Sequence, residues 1–446
     1  MPRAYAGRSG GSIVRHALSI PHIPLASTLR AVTAALVSQS SVSLAPLPTV
    51  FTMDALPEVS SVADCVGFYW ETLTTQQRCG IRRLACRSWS VGTACSGTDS
   101  AIKVLEQIGR SSGWAFTHTF SCELDRDKQA WVRENCPNVP FIFPDICKLH
   151  TGRCVDVISG VEVDVPPVDI FIAGFVCKSV SSENTQRGTH AACIAEGTGK
   201  TGTTFDGLRR YVQKVRPKLV ICENVPGLLK RNLGSESQIY SVAKAFESLG
   251  YHFAHMLLDA RSYLVPQRRH RVWMWAIRSD VSAAPAAERT AAVLTQMGRP
   301  APLSLTTFLA AASGDVQPRQ CLNQREEEAI DDLFNSTRSL QRLSGEELED
   351  LVVDVSKSAG RLPWCLDATP CVLPRSRLFW RRRRWVLGAR EVAALQGIWA
   401  RDFPALTAWC EDKHRSRVLI DMAGNAFTST ICTAVCIAVM AAISPC

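Results

Sequence analysis

No run of about 18 apolar residues passes through the 446-residue chain without a polar break, so no membrane-spanning helix is expected. The nearest approach, residues 431–443, is interrupted by Thr433. The 18 cysteines include no Cys-x-x-Cys pair, and the nearest histidines, His252 and His255, have no cysteine at ligand spacing. No metal centre is therefore expected. The chain is too long for a small disulfide-stapled scaffold and opens on no convincing secretory signal, so free thiols in a reducing compartment are expected. Acids are missing from residues 1–53, which hold Arg3, Arg8, Arg15 and Arg30 but no Lys.

What is present is a foldable composition, 46% apolar and 20% charged, long enough for two to four domains. The net charge of +9 is concentrated. Residues 1–53 carry +4, and residues 361–390, with eight Arg against Asp367 alone, carry +7, so the rest of the chain is slightly acidic. Clustered cations on an acidic body suit contact with phosphates. Residues 1–60, rich in Ser, Ala and Pro, read as a basic disordered tail, with an organelle transit peptide as the alternative.

From residue 85 short apolar runs alternate with helical stretches. Strands are expected at 88–93, 115–122, 141–143, 168–173, 219–222 and 272–277, with helices between them. That alternation predicts an α/β fold with a parallel sheet covered on both faces. Glu123 and Asp145 follow strand ends, where open α/β sheets bind ligands. Residues 279–385 break the pattern and are read as an inserted region, after which 386–446 return to the catalytic domain of 85–278 and close with an apolar core helix at 428–442.

Three strand ends carry reactive side chains. An apolar strand delivers Cys177 to a loop, where a favoured thiolate would be a nucleophile. The following residues, 178–204, are rich in Ser, Thr and Gly and read as a mobile lid. A second strand ends at Glu223-Asn224-Val225-Pro226-Gly227. A third begins at Gln267-Arg268-Arg269-His270-Arg271, where Arg269 and Arg271 alternate and so share a side. Together Cys, Glu and Arg make a plausible constellation.

The chain resembles the DNA cytosine-5 methyltransferases over residues 88–278 and 362–444. Ala94-Cys-Ser-Gly97, Cys122-Glu123-Leu-Asp125 and Pro144-Asp145-Ile146 resemble the methyl-donor motifs. Gly174-Phe-Val-Cys177 resembles the nucleophile motif, Glu223-Asn224-Val225 the acid motif, and Gln267-Arg-Arg269-His-Arg271 the basic motif. Arg390-Glu391-Val-Ala-Ala-Leu395-Gln396-Gly397 and Ala423-Gly424-Asn425-Ala426 resemble the last two. All eight stand in the family's order. Five positions, in three places, depart from it. Val176 and Lys178 flank the nucleophile where Pro and Gln are usual, and Lys178 is expected to favour the thiolate. Asp99 and Ser100 stand where Gly is frequent in the donor turn, and are expected to crowd the donor. Leu264 also replaces a frequent Gly.

The resemblance implies a Rossmann-like, S-adenosyl-L-methionine-dependent methyltransferase sheet with a small inserted target-recognition domain. It implies methyl transfer to cytosine C5 in duplex DNA, through a Cys177 adduct at C6 of a flipped-out base, with Glu223 and Arg269 as its catalytic partners. Ser96, Gly97, Glu123, Asp145, Ile146 and Asn425 would bind the donor. Lys178, Arg271, Arg375, Arg377, Arg381, Arg382, Arg383 and Arg384 would contact nucleic acid, with Trp364, Trp380 and Trp385 interleaved for stacking. A transfer-RNA cytosine methyltransferase and a catalytically inactive nucleic-acid-binding protein remain open as alternatives. A dinucleotide-binding oxidoreductase is set furthest back, for want of a Gly-x-Gly-x-x-Gly fingerprint. The expected compartment is the nucleus, with an organelle left open by the acid-free start.

Overall fold

The computed structural model describes residues 59–184, 192–230, 237–299, 303–312, 320–358 and 360–444. The expected tail, but for its last two residues, lies outside them.

Nine strands form the first part of the chain: β1 (Trp89–Ala94), β2 (Phe116–Cys122), β3 (Ile142–Phe143), β4 (Arg153–Val155), β5 (Glu162–Asp164), β6 (Ile170–Ala173), β7 (Leu219–Asn224), β8 (Tyr251–Asp259) and β9 (His270–Arg278). Seven make the central sheet, in the order β3-β2-β1-β6-β7-β9-β8, and β4 and β5 pair as a separate ribbon. The strands from β3 to β7 run parallel, while β9 is antiparallel to both β7 and β8. All four residues of β6 and all six of β7 are buried. Their alternation divides the core. Ile170, Ile172 and Ile221 join one hydrophobic cluster, and Phe171, Ala173, Val220 and Cys222 join another, as expected for a sheet covered on both faces.

The helix Ser100–Ser112 shows why the crossovers form. It buries Ala101, Ile102, Val104, Leu105 and Ile108, a single stripe at helical spacing, and Gly113 ends it in the left-handed region at φ 77°. The closing helix, Ser429–Ile443, is buried almost all round and packs on the helices Val62–Thr72, Ser100–Ser112 and Pro285–Met297. Among the described residues no single helix is long and apolar enough to cross a membrane.

A four-stranded antiparallel sheet is built from β10 (Leu351–Asp354), β11 (Trp364–Leu366), β12 (Leu378–Trp380) and β13 (Trp385–Val386). One face, with Leu351 and Val353, shares a separate core with Ala329, Ile330, Leu333 and Leu340. The other presents Val352, Leu378 and Trp380 to the main core. Part of the region 279–385, expected as an insertion, packs into the main core. The helices Pro285–Met297 and Leu305–Ala312 bury Val293, Leu294, Met297, Phe308 and Leu309 in the main core. Their Ala- and Thr-rich composition hides this apolar face.

Candidate active site

The loops beyond β1, β2, β3, β6 and β7 surround a cavity of about 820 Å³. Its walls include Gly97, Glu123, Asp145, Ile146, Cys177, Glu223, Arg269, Arg271 and Asn425. The sequence-predicted nucleophile, acid and donor residues therefore meet in one place, apart from Ser96. That side chain is engaged inside the turn, with Thr93 Oγ1 at 2.8 Å and the Cys122 carbonyl at 3.3 Å.

The donor turn is a chain of left-handed residues, Cys95 (φ 52°), Gly97 (φ 55°) and Asp99 (φ 53°). The amide of Gly97 donates to Glu123 Oε2 at 2.8 Å, and the amide of Asp125 donates to Glu123 Oε1 at 3.0 Å. Both carboxylate oxygens are thus fixed at the end of β2. Asp145 accepts from the amide of Cys147 at 2.9 Å, capping the short 3-10 helix Ile146–Thr151. Asp99, expected to crowd the donor, turns instead to Ser121, with which it shares a short hydrogen bond. Leu264 also has positive φ, 66°. Two of the positions where the family often has Gly thus keep the backbone that glycine takes most easily.

Cys177 lies half-buried just past β6, and its carbonyl accepts from the amides of Val180 and Ser181 at 3.1 and 3.0 Å. Burial pushes its thiol pKa up and the Glu223 charge adds to this, while Arg271 and then Arg269 pull it down. The cations in the balance are thus the two arginines, not the expected Lys178, whose side chain is exposed. Glu223, at the buried end of β7, has its carboxyl pKa raised by desolvation against the pull of Arg271 and Arg269. Arg271 Nε stands 3.0 Å from Glu223 Oε1, both side chains being nearly buried. Asn224 Nδ2 donates to the Phe175 carbonyl at 2.8 Å, tying the acid strand to the nucleophile loop.

Arg269, expected beside the reacting base, lines the cavity but has its guanidinium engaged by the main chain. Its guanidinium donates to the carbonyls of Val372 at 2.7 Å, Ala426 at 2.8 Å and Gly424 at 3.3 Å. It fastens the 371–375 loop to the end of the helix Lys413–Asn425. Gly424 makes this approach possible, since a Cβ there would lie 2.1 Å from Pro374 N and 2.2 Å from the Leu373 carbonyl carbon. Gln267 extends the junction. It donates to the Leu395 carbonyl at 2.6 Å and accepts from the Val372 amide and the Gln396 side chain. Three distant motifs are thus one hydrogen-bonded core, a connection that their spacing along the chain does not reveal.

The expected lid is also firmer than its composition suggests. Residues 185–191 lie outside the described region, but the helix Gly199–Val215 begins six residues before Phe205, where helix was expected. Thr201 accepts from the Ser179 amide at 3.0 Å and Thr204 from the Val176 amide at 3.2 Å. A Gly-x-Gly-x-x-Gly run does occur here, contrary to expectation, as Gly197-Thr-Gly199-Lys-Thr-Gly202. It follows the one-turn helix Cys193–Glu196 rather than a strand, and a Cβ at Gly202 would lie 1.9 Å from the Cys193 carbonyl oxygen. The place is wrong for dinucleotide binding.

The arginine patch is largely paired within the inserted unit. Arg377 meets Glu326 at 2.7 and 3.0 Å, Arg382 meets Asp350 at 2.8 Å, Arg381 meets Glu349 at 4.0 Å, and Arg383 meets Glu391 at 3.7 Å. Arg383 also stacks between Trp380 and Trp385, and Trp380 is fully buried. Trp380 is thus core rather than the expected stacking platform. Arg375 and Arg384 are exposed, both at positive φ. Arg375 lines the catalytic cavity and a neighbouring one of about 950 Å³, together with Lys128.

The comparisons with known proteins agree with this geometry. Over 237 residues the chain is 31% identical to the DNA (cytosine-5-)-methyltransferase DMT5 of Cryptococcus neoformans var. grubii, a match covering 51% of this chain and 9% of that protein. It is 29% identical over 185 residues to the type II methyltransferase M.NgoBV of Neisseria gonorrhoeae, covering 40% of this chain and 39% of the relative. It is 28% identical over 148 residues to M.HhaI of Haemophilus parahaemolyticus, covering 33% of this chain and 39% of the relative. The chain thus matches well under half the length of these relatives. The profile of the C-5 cytosine-specific DNA methylases matches residues 95–354, from the donor turn through the nucleophile and acid to β10 of the inserted sheet, and the chain belongs to that family.

Proposed function

We propose that the chain methylates C5 of cytosine in DNA, using S-adenosyl-L-methionine and a covalent adduct of Cys177 at C6 of a flipped-out base. The observation that carries this is the shared cavity. Cys177, Glu223 and Arg271 line the same space as Gly97, Glu123 and Asp145. The donor fits the second group. Glu123, held by two main-chain amides, offers its remaining lone pairs to a diol, and the glycine-like turn lets the backbone approach a ligand closely. S-adenosyl-L-methionine, when bound, supplies a methyl group on a sulfonium sulfur.

Cytosine C5 is a poor nucleophile while the ring is aromatic. Cys177 gives up its proton to water, and its sulfur bonds to C6. The displaced ring electrons are met at N3 and the exocyclic amine, where Glu223, whose carboxyl pKa is raised by burial and which is thereby disposed to take up a proton once the base is bound, donates a hydrogen bond. Arg271 rather than Arg269 is placed to steady the acid and the developing charge, because its Nε already reaches Glu223. C5 gains the methyl group and then loses its proton to water, and the electrons of the broken C–H bond restore the ring and expel Cys177 as the thiolate. The thiol is recessed in a cavity, so the target base must leave the helical stack. The inserted sheet is assigned target recognition, with the exposed Arg375 and Arg384 on phosphates.

The test is labelled methyl transfer to duplex DNA and to transfer RNA by the wild type and by Cys177→Ala. Incorporation into DNA that Cys177→Ala abolishes supports the proposal. Equal incorporation by both would remove Cys177 from the chemistry. Incorporation into transfer RNA alone would change the acceptor. A wild type that traps no adduct on 5-fluorocytosine DNA would point to an inactive binding protein.

A further inference from the structure

Next to the donor turn, among residues that do not line the cavity, three side chains from three elements converge. Asp99 precedes the helix Ser100–Ser112, His118 lies within β2, and Cys136 caps the helix Arg126–Asn135. Their donor atoms all lie within 4.8 Å of one another. Asp99 Oδ2 and His118 Nε2 are 3.8 Å apart. Asp99 is 1% exposed and Cys136 5%, while the His118 side chain is 11% exposed, so two of the three are closed to solvent and the third is largely screened.

The carboxyl of Asp99 is the unusual member. It stands at a helix N-cap, a position where Asp ordinarily accepts from the first-turn amides, yet it makes no such bond. Its Oδ2 is met by the hydroxyl of Ser121, which also lies 3.1 Å from His118 Nε2. Its Oδ1 is buried with no hydrogen-bond partner. The nearest cation on its helix, Lys103, is paired instead with Glu106 at 3.2 Å. A buried carboxyl oxygen left bare loses the hydrogen bonds water would give it. A hydrogen-bonded cluster around Ser121 leaves that oxygen bare.

We propose that Asp99, His118 and Cys136 bind a structural zinc ion. The donor set, one carboxylate, one imidazole and one thiolate, is of the kind zinc takes, and bonds of about 2.0–2.3 Å need only a small inward movement from the present separations. Two anionic ligands neutralise the divalent ion, which suits a closed site. Ser121 Oγ or a water completes the four. Binding releases the Cys136 thiol proton, together with any proton on Asp99. The ion would pin the start of one helix, the middle of β2 and the end of another. These same elements place Gly97 and Glu123, and Trp131, from the same helix as Cys136, already donates to the Thr98 carbonyl at 3.0 Å. No spacing rule finds such a site, because its ligands are 18 and 19 residues apart.

The experiment is metal analysis of the purified full chain, expressed with added zinc and dialysed, beside Cys136→Ser and His118→Gln. About one equivalent of zinc per chain, absent from both variants, is expected. Chelation should then lower the melting temperature of the wild type but not of the variants. Should the variants fail to fold, the chelated wild type is titrated with Co²⁺, and a thiolate-to-cobalt absorption band is expected. Zinc far below one equivalent with no such band, or zinc that both variants retain, would overturn the assignment.

Discussion

Arg269 and Arg271 are two residues apart, and the structure separates their roles sharply enough to test. Replacing Arg269 with Met keeps most of the stem but removes every donor to the carbonyls of Val372, Gly424 and Ala426. All three residues are buried. An abandoned buried acceptor costs about 1–3 kcal/mol, so three would cost up to about 9 kcal/mol. Relief from holding a buried cation offsets part of this, since desolvation already lowers the Arg269 pKa. A net loss of about 3 kcal/mol is expected. At a few degrees per kcal/mol this is a fall in Tm of roughly 6–12 °C. Arg271→Met removes the partner of Glu223, but that carboxyl is already disposed to protonate. Its stability cost should stay near 1 kcal/mol, while trapping on 5-fluorocytosine DNA should slow at least tenfold, about 1.4 kcal/mol of barrier. Thermal melting and adduct trapping on the same preparations decide it. An Arg269→Met protein that melts with the wild type yet traps no adduct would refute the reasoning.

Other outcomes follow from the same geometry. Glu223→Gln removes a charge that raises the Cys177 pKa, so peptide-resolved alkylation of Cys177 should begin at lower pH than in the wild type, while Arg271→Met should shift it to higher pH. An unmoved profile in both would break the electrostatic link. Gly227→Ala places a Cβ 1.8 Å from the Val180 carbonyl oxygen, three residues beyond Cys177. With backbone on both sides, adduct formation should fall more than tenfold, and an active variant would show that the nucleophile loop tolerates displacement. Arg375→Ala and Arg384→Ala should each reduce the slope of DNA affinity against salt by about one. Arg382→Ala, already paired with Asp350, should reduce it less, as measured by titration at several salt concentrations.

The parallel strands were legible because burial on both faces makes them short apolar runs, and β6 and β7 are of that kind. β8 was not, because along this antiparallel edge only Tyr251 and Leu258 are buried and the other seven side chains are half-buried or exposed, which leaves no apolar run to read. Cys177 and Glu223 could be read from strand ends, since a residue at the carboxyl end of a parallel strand faces the site wherever the sheet goes. Their electrostatic partners could not. Lys178 adjoins the thiol in sequence yet is exposed, whereas Arg271 reaches Glu223 across the β7–β9 pairing. Adjacency along the chain is therefore a poor guide to which charge tunes which group. The arginine run makes the same point from the other side. Read alone it is a bare cationic patch, but Glu326, Glu349 and Asp350 lie some 30 to 50 positions upstream, and the fold brings them onto it. Arg375 and Arg384, both exposed and at positive φ, are the two for which phosphate contact is proposed. A charge run thus specifies a protein's own tertiary contacts first, and a nucleic-acid surface only through what those contacts leave over.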